Sequence, residues 1–130
     1  MPTTLRAVGV DILHIPRIAD VLARTPFSAR RFPTRVLHAY ELARYNALRE
    51  KSPEAATLFV ARCWAIKEAV FKTLDDVEQR EFAFKSWRTI TNTHPRPVAV
   101  HDSGSGDFLV SVSHDGEYLV AFVSRTHTPP

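Results

Sequence analysis

The sequence predicts an α+β domain, with one long central helix packed on an antiparallel sheet. Two features carry that expectation. The stretch from about 55 to 74 contains no Gly or Pro, and Phe59, Cys63, Ile66, Val70 and Leu74 trace one apolar face along it at helical spacing. Near the other end, two alternating apolar runs, 108–114 and 117–123, are joined through Asp115-Gly116, the strongest short-range hairpin signal. Helical patterns come first and a meander of short strands follows. With 130 residues, positions 1–130 read as a single domain of ordinary size.

The elements follow in order. Residues 7–12, Ala-Val-Gly-Val-Asp-Ile, form a short apolar strand broken by Asp11. A carboxylate there costs free energy unless it is paired, caps the next helix or meets a metal. Pro16 suits the first turn of a helix whose stripe is Ile15, Ile18, Val21 and Leu22. Pro26 and Pro33 then punctuate an arginine-rich stretch. Thr34 is expected to cap a helix from about 36 to 47, with Leu37, Tyr40, Leu42 and Tyr45 as apolar contacts. On the long helix, Ala61, Ala65, Glu68 and Lys72 trace a second face, narrow and partly charged. After Asp75-Asp76 the pattern turns β-like through Phe82, Phe84 and residues 87–91, then 98–100 after a proline-rich turn. The tail after Val123 is expected to fray.

Composition narrows the function classes. Hydrophobic residues at 45% and charged residues at 24% exclude wholesale disorder. A formal charge of +3 leaves no nucleic-acid footprint in the net charge. The positive charge is local: between Arg17 and Arg35 stand five arginines against Asp20 alone. No apolar run approaches the roughly 20 residues of a membrane span, and the first residues carry no secretory signal. The single cysteine, Cys63, excludes an internal disulfide and suits a core position in a reducing compartment. A soluble intracellular protein is expected.

Three polar groups stand out as candidates for chemistry. They are Asp11, the one-turn pair Glu68 and Lys72, and the run 111–114, Ser-Val-Ser-His. Each also has a plain structural reading, as a helix cap, a surface ion pair and a polar strand end. Together they suit magnesium, which takes one or two protein carboxylates and fills its other positions with water and phosphate oxygens. Asp11 and Glu68 would be the carboxylates, and Lys72 a counter-charge for phosphates. No phosphate-binding loop or dinucleotide fingerprint is present. There is no nucleophile elbow around Ser113 either, and the six histidines show no metal-ligand spacing.

These residues carry a family resemblance. Val8-Gly-Val-Asp-Ile12 with Ile15-Pro-Arg-Ile18, the segment Arg31-Phe to Tyr45 with Arg35-Val-Leu and Glu41-Leu, the block from Phe59 to Lys72 with Trp-x-x-Lys-Glu-Ala-x-x-Lys, and Ser111-Val-Ser-His114 resemble the holo-acyl-carrier-protein synthases. These are the small 4′-phosphopantetheinyl transferases, and the likeness runs from about residue 8 to 123. It implies that family's compact fold and a homotrimer with active sites shared between subunits. It also implies transfer of the phosphopantetheine arm of coenzyme A to a serine of an acyl carrier protein, releasing adenosine 3′,5′-bisphosphate.

By position, the resemblance implies that Asp11 and Glu68 hold Mg²⁺ and makes Glu68 a candidate to deprotonate the carrier serine, directly or through a metal-bound water. Lys72 would bind the diphosphate. Arg62 and His114 would meet the nucleotide phosphates from a neighbouring subunit, and Pro97 would lie near the adenine. Arg17, Arg31 and Arg35 would dock an acidic carrier protein. Two departures stand out: residues 73–80 replace a Gly-rich loop, and Pro95-Arg-Pro97 replaces a Gly-Lys-Pro turn. Both are more similar to fungal, mitochondrial-type members than to bacterial ones, so the mitochondrial matrix is expected slightly ahead of the cytoplasm. The alternative from the residues alone is a non-catalytic basic module that docks an acidic protein or RNA. Simple docking has no need of Asp11, Glu68, Lys72 and His114 together.

Overall fold

The computed structural model describes residues 2–90, 96–104 and 106–129. The chain opens with β1 (Thr4–His14) and continues through α1 (Ile15–Arg24), α2 (Pro26–Val36), α3 (Ala39–Lys51), α4 (Pro53–Phe71) and the short α5 (Asp76–Arg80). A 3₁₀ turn at Phe84–Ser86 leads into β2 (Trp87–Ile90), β3 (Val98–His101), β4 (Asp107–Asp115) and β5 (Tyr118–His127). The strands form one antiparallel sheet in the order β1-β5-β4-β3-β2. The last strand thus returns to pair with the first. The helices cover one face of this sheet, with α4 packed across β1 and β5. No helix among the described residues is long and apolar enough to cross a membrane.

The long helix and the final hairpin form as the sequence predicts. Ser52 accepts from the Ala55 N–H, which moves the start of α4 to Pro53. Ala61, Ala65 and Ala69 are fully buried beneath the sheet, so the narrow second face is a packing surface as well as a charged one. The hairpin turns at Gly116, whose φ of 57° suits the first central position of a tight β4–β5 connection.

The following expectations are corrected, each for an identifiable reason. The arginine-rich stretch is helical: Thr25 and Ser28 form a reciprocal cap, Pro26 takes the first turn, and Pro33 sits inside α2. Thr34 is therefore no cap but bonds back to the Arg31 carbonyl at 2.8 Å. The next helix is capped by the His38 ring, which accepts from Tyr40 N–H at 3.2 Å, and by Glu41, which accepts from His38 N–H at 3.0 Å. Tyr40 is consequently exposed and not a core contact.

Residues 76–80 form a helix where a β-like pattern was expected after Asp75-Asp76, because Asp75 with Glu78 three residues later makes a capping box, and Phe84 lies in the 3₁₀ turn. The first strand is longer than 7–12, and the tail is ordered, because β1 and β5 pair from Thr4↔His127 to His14↔Tyr118.

The far face of the sheet is uncovered by any helix and is apolar. Val10 and Ile12 on β1 lie opposite Phe122 and Val120 on β5, all exposed. Such a contiguous patch marks an interaction surface.

Arg125, buried on β5, grips Glu78 of α5 with two hydrogen bonds at 2.8 and 2.7 Å. The guanidinium holds the Glu78 carboxyl down at about 2, from an ordinary 4.5. Its contribution to stability is full above pH 4.5 and disappears as pH falls toward 2. Melting temperatures between pH 5 and 2 should therefore fall more steeply for the wild type than for Glu78→Gln. Parallel curves for the two proteins would count against this anchor.

Candidate active site

Asp11, Glu68 and Lys72 come together where β1 crosses the C-terminal half of α4. The crossing is unusually close at Gly9: a Cβ built there would lie 2.0 Å from the Ala69 carbonyl oxygen and 3.2 Å from Lys72 Cβ. Only glycine permits this approach, and two residues later it delivers Asp11 to the helix-facing side of the strand. Lys72, at the C-cap of α4, donates from Nζ to the Val10 carbonyl at 2.7 Å and reaches Asp11 Oδ1 at 3.5 Å. Its ammonium is thus held at the strand while remaining half exposed.

The electrostatics describe a site short of positive charge. Burial pushes the Asp11 carboxyl above its ordinary range, and Lys72 and, more weakly, Arg17 pull it back. Burial and then the neighbouring Asp11 charge raise Glu68, again opposed by Lys72. A carboxylate whose proton affinity is raised by a neighbouring carboxylate is stabilised, as is its neighbour, by a cation between them. No third His, Cys, Asp or Glu among the described residues joins them into a larger ligand group. The donor set is two hard oxygen donors with open surroundings. It fits magnesium, which keeps waters and accepts phosphate oxygens, and not zinc, which takes nitrogen and sulfur ligands in structural sites.

The other expected residues fall outside this cluster. Arg62, six residues before Glu68, lines a groove of about 330 Å³ with Arg44, Arg88 and Tyr40. Arg88 lies 5.0 Å over the Tyr40 ring and Arg44 5.9 Å over that of Phe59. Within one chain this groove is separate from the carboxylates. His114 pairs with Leu119 near the exposed end of β4, and no hydrogen bond or ion pair joins it to Asp11, Glu68 or Lys72 among the described residues. Pro97 immediately precedes β3, and its carbonyl accepts from Val110 N–H at 3.0 Å. Pro95 lies outside the described residues.

The arginines form a coherent face. Arg31 and Arg35 on α2 border a groove of about 600 Å³, with Lys85 among its lining residues and Phe32, Val36, Trp64 and Phe84 supplying apolar walls. Arg17 precedes Val21, another lining residue, by one turn of α1, and its charge also acts on Asp11. Trp64 likewise precedes Glu68 by one turn of α4. Two helices therefore lead directly from the carboxylates to the basic groove. Sequence reasoning missed Lys85, Arg44 and Arg88, because nothing in their local spacing separates a groove residue from an ordinary surface charge.

Comparison with known proteins shows the family. Residues 7–123 match the model of the 4′-phosphopantetheinyl transferase superfamily. The chain is 31% identical to the mitochondrial holo-[acyl-carrier-protein] synthase of Eremothecium gossypii, covering 92% of this chain and 79% of that one. It is 32% identical to the holo-[acyl-carrier-protein] synthase of Geobacillus kaustophilus, covering 89% and 84%. A holo-(acyl-carrier-protein) synthase structure from Bacillus anthracis, in complex with CoA (3′,5′-ADP), superposes with a TM-score of 0.77 at 25% identity, covering 95% of this chain and 98% of that chain. A holo-ACP-synthase from Plasmodium yoelii shares the fold, with a TM-score of 0.75 at 18% identity over 99% of this chain and 100% of the other. The chain belongs to the 4′-phosphopantetheinyl transferase superfamily, and it is a transferase of that family.

Removing one carboxylate should relieve the repulsion. A group whose folded pKa is raised costs stability as pH rises through its titration, so Asp11→Asn should melt higher than the wild type at pH 7 without added metal. Millimolar Mg²⁺ should then raise the melting temperature of the wild type and leave Asp11→Asn nearly unmoved. An equal Mg²⁺ response in both proteins would exclude Asp11 as a ligand.

Proposed function

We propose that the crossing of β1 and α4 is where this enzyme acts as a holo-[acyl-carrier-protein] synthase. It transfers the 4′-phosphopantetheine group of coenzyme A to a serine of an apo acyl carrier protein and releases adenosine 3′,5′-bisphosphate. The observation that carries the assignment of residues is the convergence of Asp11, Glu68 and Lys72 in a member of this family. A docking module without activity is the weaker reading, since docking requires no convergent carboxylates.

The residues divide the chemistry as follows. The serine oxygen forms a bond to the phosphorus that carries pantetheine, and the bond from that phosphorus to the bridging diphosphate oxygen breaks. The negative charge leaves with the adenosine bisphosphate. Glu68 accepts the serine proton; its raised proton affinity makes it a better base than an ordinary surface carboxylate. Lys72, tethered to the Val10 carbonyl, presents its remaining N–H bonds to the diphosphate. Asp11 and Glu68 would hold Mg²⁺, which would neutralise charge on the phosphates. Positioning and charge neutralisation thus supply most of the rate.

Assembly completes the site in this reading. The uncovered apolar face of β1 and β5 supports self-association, and a homotrimer would place Arg62 and His114 against the nucleotide phosphates of coenzyme A on a neighbour. Pro97 would lie near the adenine. Arg17, Arg31 and Arg35, with the apolar groove behind them, would receive the acidic carrier. The name of the Eremothecium relative supports the mitochondrial matrix over the cytoplasm.

Incubating an apo carrier protein with the enzyme, coenzyme A and Mg²⁺ should add one phosphopantetheine group by mass spectrometry. Asp11→Ala or Glu68→Ala should slow this about a hundredfold or more while the fold persists. Normal turnover by folded Asp11→Ala would defeat the assignment. Paired Arg17→Glu and Arg31→Glu changes should raise the carrier KM several-fold, more at low salt, with coenzyme A binding hardly altered. Weakened coenzyme A binding with an unchanged carrier KM would move these arginines into the nucleotide site.

A further inference from the structure

Beside Glu68 lies the most completely buried charge among the described residues. Lys67 has 0% exposure and Glu41 5%. Lys67 Nζ donates to Glu41 Oε1 at 2.6 Å and to the Val36 carbonyl at 2.7 Å. Glu41 Oε1 also accepts from His38 N–H at 3.0 Å, while Oε2 accepts from Thr89 N–H at 3.0 Å and from its hydroxyl at 3.3 Å. No buried side-chain polar atom among the described residues is left without a partner. One ion pair therefore joins four elements: the last residue of α2, the start of α3, the C-terminal half of α4 and the edge strand β2.

The place of this pair on α4 gives it a consequence for the chemistry. Consecutive residues on a helix point about 100° apart. Fixing the Lys67 side chain in direction and length therefore fixes the rotation of the one turn that also carries Glu68. An apolar side chain at position 67 would fill the space, but it would tolerate several rotations; hydrogen bonds to Glu41 and Val36 tolerate one. Burial of two charges also costs desolvation, so stability alone is a poor reason for the pair.

We propose that Glu41 and Lys67 are positioning residues for the transfer reaction: they set the rotation of α4 that turns Glu68 toward Asp11. The proposal rests on the role given to Glu68 above. Glu41→Gln is the informative conservative change. Its amide nitrogen must face either Lys67 and the His38 N–H or the Thr89 N–H, so one donor always meets another donor.

The test measures kcat, both KM values, the melting temperature and its rise with Mg²⁺ for Glu41→Gln, Lys67→Met and the double variant Glu41→Leu/Lys67→Met. All are compared at a temperature where circular dichroism shows each protein folded. Lys67→Met should melt far lower, because it strands a buried carboxylate. The double variant should regain most of the melting temperature, because no unpaired charge is left. Every folded variant should nevertheless show kcat at least tenfold down, carrier KM within about twofold of wild type, and a smaller Mg²⁺-induced rise in melting temperature.

Recovery of kcat and of the Mg²⁺ response together with stability in the double variant would reduce the pair to packing and overturn the proposal. If the double variant does not fold, wild-type kcat in folded Glu41→Gln overturns it equally. Failure of the underlying reading looks different: Glu68→Ala would then transfer as fast as wild type.

Discussion

Everything at the site depends on the absence of a side chain at Gly9. The β1 backbone passes so near the Ala69 carbonyl that a Cβ would lie 2.0 Å from it. That approach requires small residues on both sides, and α4 supplies them in Ala61, Ala65 and Ala69, all fully buried. A larger residue at any of these positions would push helix and sheet apart. Asp11 and Glu68 interact through space, and Lys72 hydrogen-bonds directly to the strand backbone, so separation weakens every one of these contacts at once. The distance between the layers is therefore a functional quantity, held by residues with no chemistry of their own.

Distance alone does not aim a side chain. The Gly9 crossing fixes how near α4 comes to β1, while the buried bonds of Lys67 fix how α4 is turned about its axis. One constraint is met by removing atoms and the other by burying charges, which are the two costly choices a core can make. Both occur within one turn of Glu68. Elsewhere the core is ordinary, with aliphatic and aromatic side chains and no comparable buried ion pair among the described residues. Arg125 with Glu78 comes nearest, but that carboxylate is partly open to solvent.

The parts of the fold legible in the sequence were those written in local periodicity. The long helix, the hairpin around Gly116 and the proline at the start of α1 each follow from spacing and turn chemistry within a few residues. The errors arose where two signals competed. Pro26 and Pro33 read as breakers, yet a first-turn proline favours a helix, and α2 accommodates the second in its interior. Asp75 read as the end of a helix when, with Glu78, it begins another.

At the site, Asp11, Glu68 and Lys72 were legible because charges stand out against apolar surroundings. Lys67 is equally charged, yet it was hidden beside Glu68. Its partner lies 26 residues away on another helix, and no local pattern distinguishes a buried lysine from a solvated one. Gly9 was visible only as part of a motif. Its physical reason appears once Ala69 is seen across from it.

The electrostatic layout also separates the tasks of the two ends of the site. The carboxylates lie in partial burial, where charge interactions are strong and a bound cation or phosphate is felt at short range. The arginines of α1 and α2 lie in solvent, where each contact is weak but the summed field reaches outward by about a Debye length, roughly 8 Å at physiological salt. A surface of this kind speeds the arrival of an acidic partner without holding it tightly, which suits an enzyme that must release its product carrier. Arg17 stands where the regimes meet, exposed on α1 yet acting on Asp11. It is well placed to let the approach of an acidic partner register at the carboxylates: screening that one arginine removes positive charge from beside Asp11 and leaves Lys72 as the remaining side-chain cation there. In the function proposed above, docking would thus be coupled to chemistry through the charge of Arg17.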